Sequence, residues 1–216
     1  MSFFNSIITN SLPFLPRWFA KPFAKPYVAG ESSEDALNQV RQLNDKGFNA
    51  TLDILGEHVM NKQLARNITS EYCNLYEQIE EHSLDCTLSV KPTHIGLSIS
   101  ESEAISNMIM IAKKAQDFGN FLRIDMENSD YTDQTFEIMK ECRKFYSNVG
   151  VAIQAYLYRS QNDIEKLGDD SFNTRICKGI YKESNTIAYQ EREDIRNNFL
   201  LLAKTMAEQG AFCGYA

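Results

Sequence analysis

The chain has 216 residues, of which 43% are hydrophobic, and a formal net charge of −7 at pH 7. Such a size and composition predict one globular domain. The acidic balance and the lack of a long basic run argue against a nucleic-acid partner. No apolar stretch approaches the roughly 20 residues that a membrane-spanning helix needs.

The chain contains five cysteines, an odd number, and no CxxC pair. We therefore expect free thiols in a reducing, cytoplasmic environment. The three histidines, His58, His82 and His94, lie far apart in the sequence and form no HExxH pair. The sequence thus carries no signal for a metal site.

Residues 1–30 form an apolar, aromatic segment that contains four of the five prolines. The segment lacks early positive charge and a small-residue cleavage site, so we do not expect a signal peptide. We predict an N-terminal arm that lies on the following domain, residues 31–216. The alternative is peripheral contact with the inner face of a membrane, with Trp18 and Lys21 at the interface.

Hydrophobic periodicity and turn residues predict alternating helices and strands along the rest of the chain. In order, the predicted elements are a helix at 32–47, a strand at 50–55, a helix at 69–82, a strand at 86–91, a helix that begins at 100, a strand at 121–126, a helix at 132–146, a strand at 149–157, a helix at 160–168, a strand at 173–179, a helix at 188–209 and a strand at 211–216. Ser100 and Glu103 have the spacing of a capping box for the third helix. This repeated order is typical of βαβ units and predicts a parallel sheet.

Missing motifs narrow the choice of α/β architecture. No GxGxxG follows the first predicted strand and no GxxxxGK[ST] occurs anywhere, which disfavours a dinucleotide-binding Rossmann domain and a P-loop. The remaining architectures are a (β/α)₈ barrel and an open α/β sheet. Because complete barrels usually need about 250 residues, we expect a barrel here to be cut short.

Polar side chains interrupt four of the predicted strands, where an unpaired charge would cost several kcal/mol. The five residues are Lys91, Asp125, Gln154, Arg175 and Lys178. The active site of a barrel lies at the carboxyl ends of its strands, so we expect these side chains to converge there. Three cations, one anion and one amide suit an anionic ligand that accepts hydrogen bonds. We expect His94 and Glu127 either at the rim of such a site or behind the residues that line it.

Each polar residue also has a purely structural interpretation. Lys91 fits a solvated position at a strand end, and Asp125 has a neighbour of the same side-chain parity, Arg123, with which to pair. Gln154 fits a buried amide with satisfied hydrogen bonds. The two cations of the fifth predicted strand fit anchors for a neighbouring helix.

Six segments resemble, in order, the motif series of the FAD-dependent proline dehydrogenases, in the form of the monofunctional bacterial enzymes. They are YVAGES, LNDKGFNATLDILGEHV, SVKPTHIGLSIS, RIDMENSDYTDQT, VGVAIQAYLYRS and RICKGIYKES, and the resemblance runs from about residue 27 to the last residue. It implies a flavin-holding (β/α)₈ barrel and an oxidoreductase of proline catabolism. Such an enzyme oxidises L-proline to 1-pyrroline-5-carboxylate and passes the electrons to a membrane quinone.

The resemblance also implies roles for individual residues. Lys91 would bind the carboxylate of proline, Asp125 would be the active-site aspartate, and Arg175 would stabilise the reduced, anionic flavin. The residues implied to hold FAD are Met126, Gln154, Lys178, Gly179 and Ile180. Ile180 stands where the family usually has alanine.

The resemblance covers roughly the first two thirds of the family domain, so the expected barrel is truncated after five β/α units and the start of a sixth strand. The family's later threonine–histidine pair, its last two units and its paired carboxylate-clamping arginines have no counterpart in these 216 residues. We therefore expect the chain to have little proline dehydrogenase activity on its own.

Two further interpretations stay open. The first is a Schiff-base aldolase-type barrel that uses Lys91 or Lys178 as its nucleophile. The second is a non-catalytic remnant of a proline dehydrogenase, whose motifs record ancestry rather than activity.

Overall fold

The computed structural model describes residues 28–30, 32–167 and 172–216. The chain divides into two compact units, Met1–Asn49 and Ala50–Ala216. The predicted N-terminal arm lies almost wholly outside the described residues, so its boundary and its membrane contact stay predictions. Among the described helices, none is both long and apolar enough to cross a membrane.

The described part of the first unit contains one helix, α1, at Ser33–Asn44. The side chain of Ser32 caps it by accepting a hydrogen bond from the amide of Asp35 at 3.2 Å. Leu37 and Val40, nearly one turn apart, are its buried residues. The predicted helix at 32–47 is confirmed with slightly shorter bounds.

The second unit is built on one parallel sheet with helices between the strands. The strands are β1 Ala50–Leu52, β2 Cys86–Val90, β3 Leu122–Ile124, β4 Val149–Gln154, β5 Asn173–Cys177 and β6 Phe212–Tyr215. The helices are α2 Lys62–Glu81, α3 Glu101–Asp117, α4 Thr132–Arg143, α5 Ser160–Leu167 and α6 Arg192–Glu208. Each strand pairs with the one before it, in the order β1-β2-β3-β4-β5-β6. This sequential order is that of a (β/α)₈ barrel and differs from the reversing order of a doubly wound sheet, so the barrel prediction is confirmed.

The two faces of the sheet differ in chemistry. The apolar face, which packs against helices, carries side chains that are buried completely: Leu88, Val90, Leu122, Ile124, Val151 and Ile176. The opposite face carries polar and small side chains, because Ser89 lies opposite Arg123, Arg123 opposite Gly150, and Ala152 opposite Arg175 in the strand register. The strict alternation within β2 to β5 therefore separates a hydrophobic core from a polar surface.

Several predicted boundaries are wrong by three or more residues, and three of them are instructive. Helix α2 begins at Lys62 rather than at 69, because Asn61 caps it by accepting a hydrogen bond from the amide of Leu64 at 2.9 Å. Helix α6 begins at Arg192 rather than at 188, because Ala188 is held in an extended bridge with Leu157. Strand β1 ends at Leu52 instead of 55.

The predicted capping box of α3 is only half formed. Ser100 accepts a hydrogen bond from the amide of Glu103 at 3.2 Å, as predicted. The carboxylate of Glu103 instead accepts a hydrogen bond from Arg66 of α2 at 2.9 Å. A charged partner on the neighbouring helix therefore replaces the return bond of the box.

Candidate active site

Four of the predicted site residues lie on the polar face of the sheet, as their parity in the strands requires. Extending the register of β3, β4 and β5 by one residue places Asp125, Ala152 and Arg175 at one level across three strands. Extending that of β2 and β3 by the same step places Lys91 at this level as well. Gln154 lies two residues further along β4, near the carboxyl edge. These four polar side chains therefore lie on one face of the sheet, whereas Lys178 lies in the segment after β5.

Arg175 forms an ion pair with Asp125 across β4. Ser89 donates a second hydrogen bond to the same carboxylate oxygen, Oδ1 of Asp125, at 2.6 Å. The residue between the two partners at this level is Ala152, whose methyl group leaves room for the guanidinium. The side chains of Arg175 and Asp125 are 31% and 14% exposed, so a molecule on the polar face can reach the pair.

The expected alternative pair of Asp125 with Arg123 does not form. Arg123 donates to the carbonyl oxygens of Val151 at 3.1 Å and Asn173 at 3.0 Å, and also to the side chain of Asn173. It reaches them over Gly150, where a Cβ would lie 2.7 Å from the guanidinium. Burial, reinforced by the charge of Arg175, lowers the pKa of Arg123 to about 10. Arg123 thus ties three strands together.

Lys91 forms an ion pair with Asp53, which follows β1. Tyr72 of α2, whose residue surface is completely buried, donates a hydrogen bond to Asp53 at 2.9 Å and accepts one from the amide of Ile54 at 3.2 Å. Burial works to lower the pKa of Lys91, but the hydrogen bond and charge of Asp53 outweigh it and raise the pKa. The ammonium group of Lys91 is therefore positively charged and held in place by Asp53, and it is not freely solvated.

Asp53 was not among the residues predicted from the sequence, although the sequence around it contains a signal. In ATLDIL the aspartate follows Thr51 by two residues, so it has the parity of the polar face, and it stands just past the strand end. This is the same position in its strand that Lys91 and Asp125 have in theirs. Asp53, Lys91 and Asp125 are thus the first residues after β1, β2 and β3.

His94 and Glu127 do not lie at the rim, because their residue surfaces are 5% and 0% exposed, and this burial fits the other expected position, behind the residues that line the site. Glu127 accepts hydrogen bonds from the amide of Thr93 at 2.8 Å and from the hydroxyl of Thr93. Gln154 is also buried, and its amide nitrogen donates to the carbonyl oxygen of Glu127 at 2.6 Å. Thr93, Glu127 and Gln154 therefore form a connected hydrogen-bond network at the carboxyl ends of β2, β3 and β4.

The segment after β5 presents an exposed cation and an exposed apolar side chain. Lys178 is exposed, and 88% of the surface of Ile180 is exposed. Gly179 between them has a φ of +103°, and a Cβ on it would lie 2.3 Å from the ring of Tyr156. Glycine therefore allows this segment to lie against Tyr156. Met126, by contrast, is buried, with 8% of its surface exposed.

Comparison with known proteins identifies the lineage of this site. The family model described as Proline dehydrogenase matches residues 36–195. Proline dehydrogenase 1 of Bacillus subtilis subsp. natto is 36% identical over 203 residues, which cover 92% of this chain and 67% of the relative. Proline dehydrogenase 1 of Bacillus subtilis strain 168 is 35% identical, with the same coverage of both chains.

The fold agrees with that of a solved structure, proline utilization A (PutA) from Bdellovibrio bacteriovorus inactivated by N-propargylglycine. The TM-score is 0.78 at 23% identity, over 89% of this chain and 25% of that chain. The present chain therefore spans about two thirds of the curated relatives and about a quarter of the PutA chain. Since the family model covers most of the sequence, the chain belongs to the proline dehydrogenase family.

Proposed function

We propose that this chain supplies the reacting face of a flavin-dependent proline dehydrogenase, which oxidises L-proline to 1-pyrroline-5-carboxylate. The observation that carries the proposal is the pair of ion pairs on the polar face, Arg175 with Asp125 and Lys91 with Asp53. Asp53, Lys91 and Asp125 directly follow their strands, and Arg175 lies within β5 at the level of Asp125. The pairs thus lie towards the carboxyl edge of the sheet, where barrel enzymes have their active sites. Both are partly exposed and so accessible to a small substrate.

Lys91 is the proposed partner of the carboxylate of proline. An ammonium group has three N–H donors, and one of them is directed at Asp53. The raised pKa of Lys91 keeps the group positively charged at neutral pH. A charge-assisted hydrogen bond from a second N–H to the substrate carboxylate would orient the proline ring over the polar face.

The residues present suit FAD, an anionic cofactor with a large flat ring. When bound, FAD supplies the acceptor for the hydride that leaves the proline ring carbon next to nitrogen. Arg175 and Lys178 are accessible cations, Ile180 is an exposed apolar side chain, and Gly179 brings backbone close without a side chain. This combination of charge, apolar surface and open backbone is the chemistry that a phosphate-bearing ring system needs.

Asp125 and Arg175 act together in this proposal. Asp125, held by Ser89, fixes the guanidinium of Arg175 from one side and leaves its remaining N–H groups for the cofactor. A cation held in this way stabilises negative charge that develops next to it without reorganisation. Met126 and Gln154, both buried, are proposed to form the wall behind the cofactor.

The electron acceptor proposed for the enzyme is a membrane quinone, with the protein at the cytoplasmic face of the membrane. This part rests on the family resemblance and on the apolar N-terminal residues of the sequence. Reduction of a soluble quinone analogue by the proline-reduced protein tests it. Retained reduction of a dye together with no reduction of the quinone would contradict it.

We expect slow turnover from the 216-residue chain alone. It spans 67% of the curated relatives' length, and within the described strands β6 pairs only with β5. An unpaired edge leaves the polar face open to water, which weakens each electrostatic contact on it. Turnover at the rate of the intact relatives would contradict this expectation.

The Schiff-base alternative gains no support at Lys91. A nucleophilic lysine needs a lowered pKa, whereas Asp53 raises the pKa of Lys91. Borohydride trapping of a carbonyl substrate on Lys91 or Lys178 would restore that alternative. The remnant alternative predicts a chain that binds no FAD and melts without cooperativity.

Binding of FAD tests the proposal directly, with two lysines of one segment as a matched pair. Lys178→Met should weaken binding of FAD about tenfold, the usual effect of losing a charge-assisted hydrogen bond. Lys182→Met, also exposed and four residues away, should leave the affinity unchanged. Quenching of FAD fluorescence measures both affinities. A parental chain that binds no FAD would refute the flavin assignment.

A further inference from the structure

A fully buried carboxylate, Glu127, lies two residues after Asp125 of the proposed site. Glu127 has no exposed surface, and within the described residues no lysine or arginine pairs with it. Its two oxygens instead accept hydrogen bonds from one residue, Thr93: the amide donates at 2.8 Å and the hydroxyl donates to the other oxygen. Burial of a carboxylate without a cation is unfavourable, so this arrangement calls for an explanation beyond packing.

The Glu127–Thr93 tie connects the carboxyl ends of four strands. After β1, the amides of His58 and Val59 donate to the hydroxyl and the carbonyl oxygen of Thr93, both at 3.0 Å. At the end of β4, Gln154 donates to the carbonyl oxygen of Glu127 at 2.6 Å. The hydroxyl of Thr93 thus accepts from one segment and donates to another, which fixes its direction.

Two residues of the proposed site lie immediately before the tie. Lys91 precedes Thr93 by two residues, and Asp125 precedes Glu127 by two. The short 3₁₀ helix Pro92–Ile95 begins directly after Lys91, and the carbonyl oxygen of Lys91 accepts a hydrogen bond from the amide of His94 at 3.1 Å. The backbone that carries Lys91 is therefore held by the same short helix that Glu127 holds through Thr93.

We propose that Glu127 is a positioning residue for Lys91: by fixing Thr93, it holds the Lys91 ammonium against Asp53 in the geometry that receives a substrate carboxylate. The identity of that carboxylate as proline rests on the proposed function. The positioning of Lys91 does not, and it can be measured without FAD or substrate.

A second carboxylate at the same edge provides a matched control. Glu183, which follows β5, accepts hydrogen bonds from the amide of Ser129 at 2.7 Å and from its hydroxyl at 2.8 Å. This tie has the same two kinds of donor as the Glu127–Thr93 tie. It joins the segments after β3 and β5 and does not include the segment that carries Lys91.

The experiment measures how fast each lysine amine is acetylated by a small N-hydroxysuccinimide ester, with mass spectrometry of the peptides. The variants are Glu127→Gln, Thr93→Val and Thr93→Ser, with Glu183→Gln as the control. Loss of one strong hydrogen bond should raise the labelling rate of Lys91, relative to exposed Lys62, about fivefold in Glu127→Gln and Thr93→Val. Thr93→Ser keeps the hydroxyl and should restore the parental rate, and Glu183→Gln should also keep it.

Unchanged labelling of Lys91 in Thr93→Val, with a cooperative thermal transition, would overturn the proposal. An equal rise in Glu183→Gln would also overturn it, because it would show general loosening of the edge. If Glu127→Gln fails to fold, the two threonine variants decide the matter. If the parental chain binds no FAD, the proposed function fails while the labelling result still tests the role of Glu127.

In the FAD-loaded protein, the same variants should separate binding from chemistry. Glu127→Gln should weaken L-proline binding, followed by the change in flavin absorbance, about fivefold. Its flavin absorbance before addition of proline should match that of the parent. Weakened FAD binding with intact proline affinity would assign Glu127 to the cofactor and contradict its role at Lys91.

Discussion

Arg175 and Asp125 belong to strands two apart, yet they form an ion pair because both stand level with Ala152 of the intervening strand. One level below, Arg123 reaches Asn173 over Gly150 in the same way. Small residues on β4 thus allow two arginines to cross it. Arg123 ties the strands together, and Arg175 is left partly exposed on the polar face.

Arg175→Met should remove flavin reduction while the chain still folds. The side chain of Arg175 is 31% exposed, so its loss affects the core little, but a preorganised charge next to a reacting group contributes roughly 10²–10³ in rate. Anaerobic reduction of bound flavin by L-proline gives the rate, and thermal melting gives the stability. Arg196→Met, at an exposed position of α6, is the control and should change neither the rate of flavin reduction nor the melting temperature. Reduction at the parental rate in Arg175→Met would remove this residue from the reaction.

Ser89→Ala should weaken the Arg175–Asp125 pair from behind. Ser89 is buried and donates to Asp125 at 2.6 Å, so its loss leaves one lone pair of a charged group unsatisfied, which costs about 1–2 kcal/mol. Chemical denaturation measures the loss in the free energy of unfolding. Ser106→Ala, at an exposed position of α3, should lower the free energy of unfolding far less. Equal stability of the two variants would show that the bond to Asp125 has no net value.

Lys91→Met should mainly raise the proline concentration needed for half-maximal flavin reduction. The change removes the ammonium held at Asp53 and also leaves this carboxylate unpaired. We expect an increase of about tenfold or more in KM, the value of one charge-assisted hydrogen bond. Lys140→Met, at an exposed position of α4, is the control and should leave KM unchanged. A KM that stays at the parental value would exclude Lys91 from the substrate site.

Gly179→Ala and Gly210→Ala separate steric clash from backbone strain. Both glycines have positive φ, +103° and +72°, but only at Gly179 would a Cβ meet a neighbour, the ring of Tyr156 at 2.3 Å. We expect a cost of about 1 kcal/mol at Gly210 from strain alone. At Gly179 the clash should add about 1–3 kcal/mol and displace the segment that includes Lys178. Similar melting temperatures for the two variants would refute the close contact with Tyr156.

His94 should make the stability of the protein depend on pH below about 6.5. Burial lowers the pKa of His94 from 6.5, and its Nδ1 atom has no hydrogen-bond partner among the described residues. The unfolded chain therefore binds the proton more readily, so stability is full above the unfolded pKa and is lost as the pH falls from there towards the folded pKa. His94→Gln should flatten the decline of the melting temperature as the pH falls below 6.5. His82→Gln, at the exposed end of α2, should leave the decline unchanged.

The sequence predicted the architecture because the alternation of strands and helices is a local pattern. It also predicted that Lys91, Asp125 and Arg175 lie near one another, because the carboxyl ends of barrel strands meet at one edge. The boundaries of α2 and α6 failed where a cap at Asn61 and a bridge at Ala188 decided the conformation. Those contacts depend on neighbours in space.

Side-chain parity did not predict which arginine forms the ion pair with Asp125. Arg123 shares the parity of Asp125 and stands closer in sequence, yet Arg175 forms the pair because it stands at the level of Asp125. The sequence left the depth of Glu127 open for a similar reason, since a carboxylate is expected at the surface unless its donors are known. Thr93 supplies both donors from another strand end.

Anaerobic mixing of the FAD-loaded chain with L-proline is the decisive test of the proposed flavin chemistry. The absorbance of the oxidised flavin should decrease after addition of proline, slowly in this chain, and should stay unchanged in Arg175→Met with equal FAD loading. A parental chain whose bound flavin remains oxidised in the presence of proline, or an Arg175→Met variant that bleaches equally fast, would contradict it.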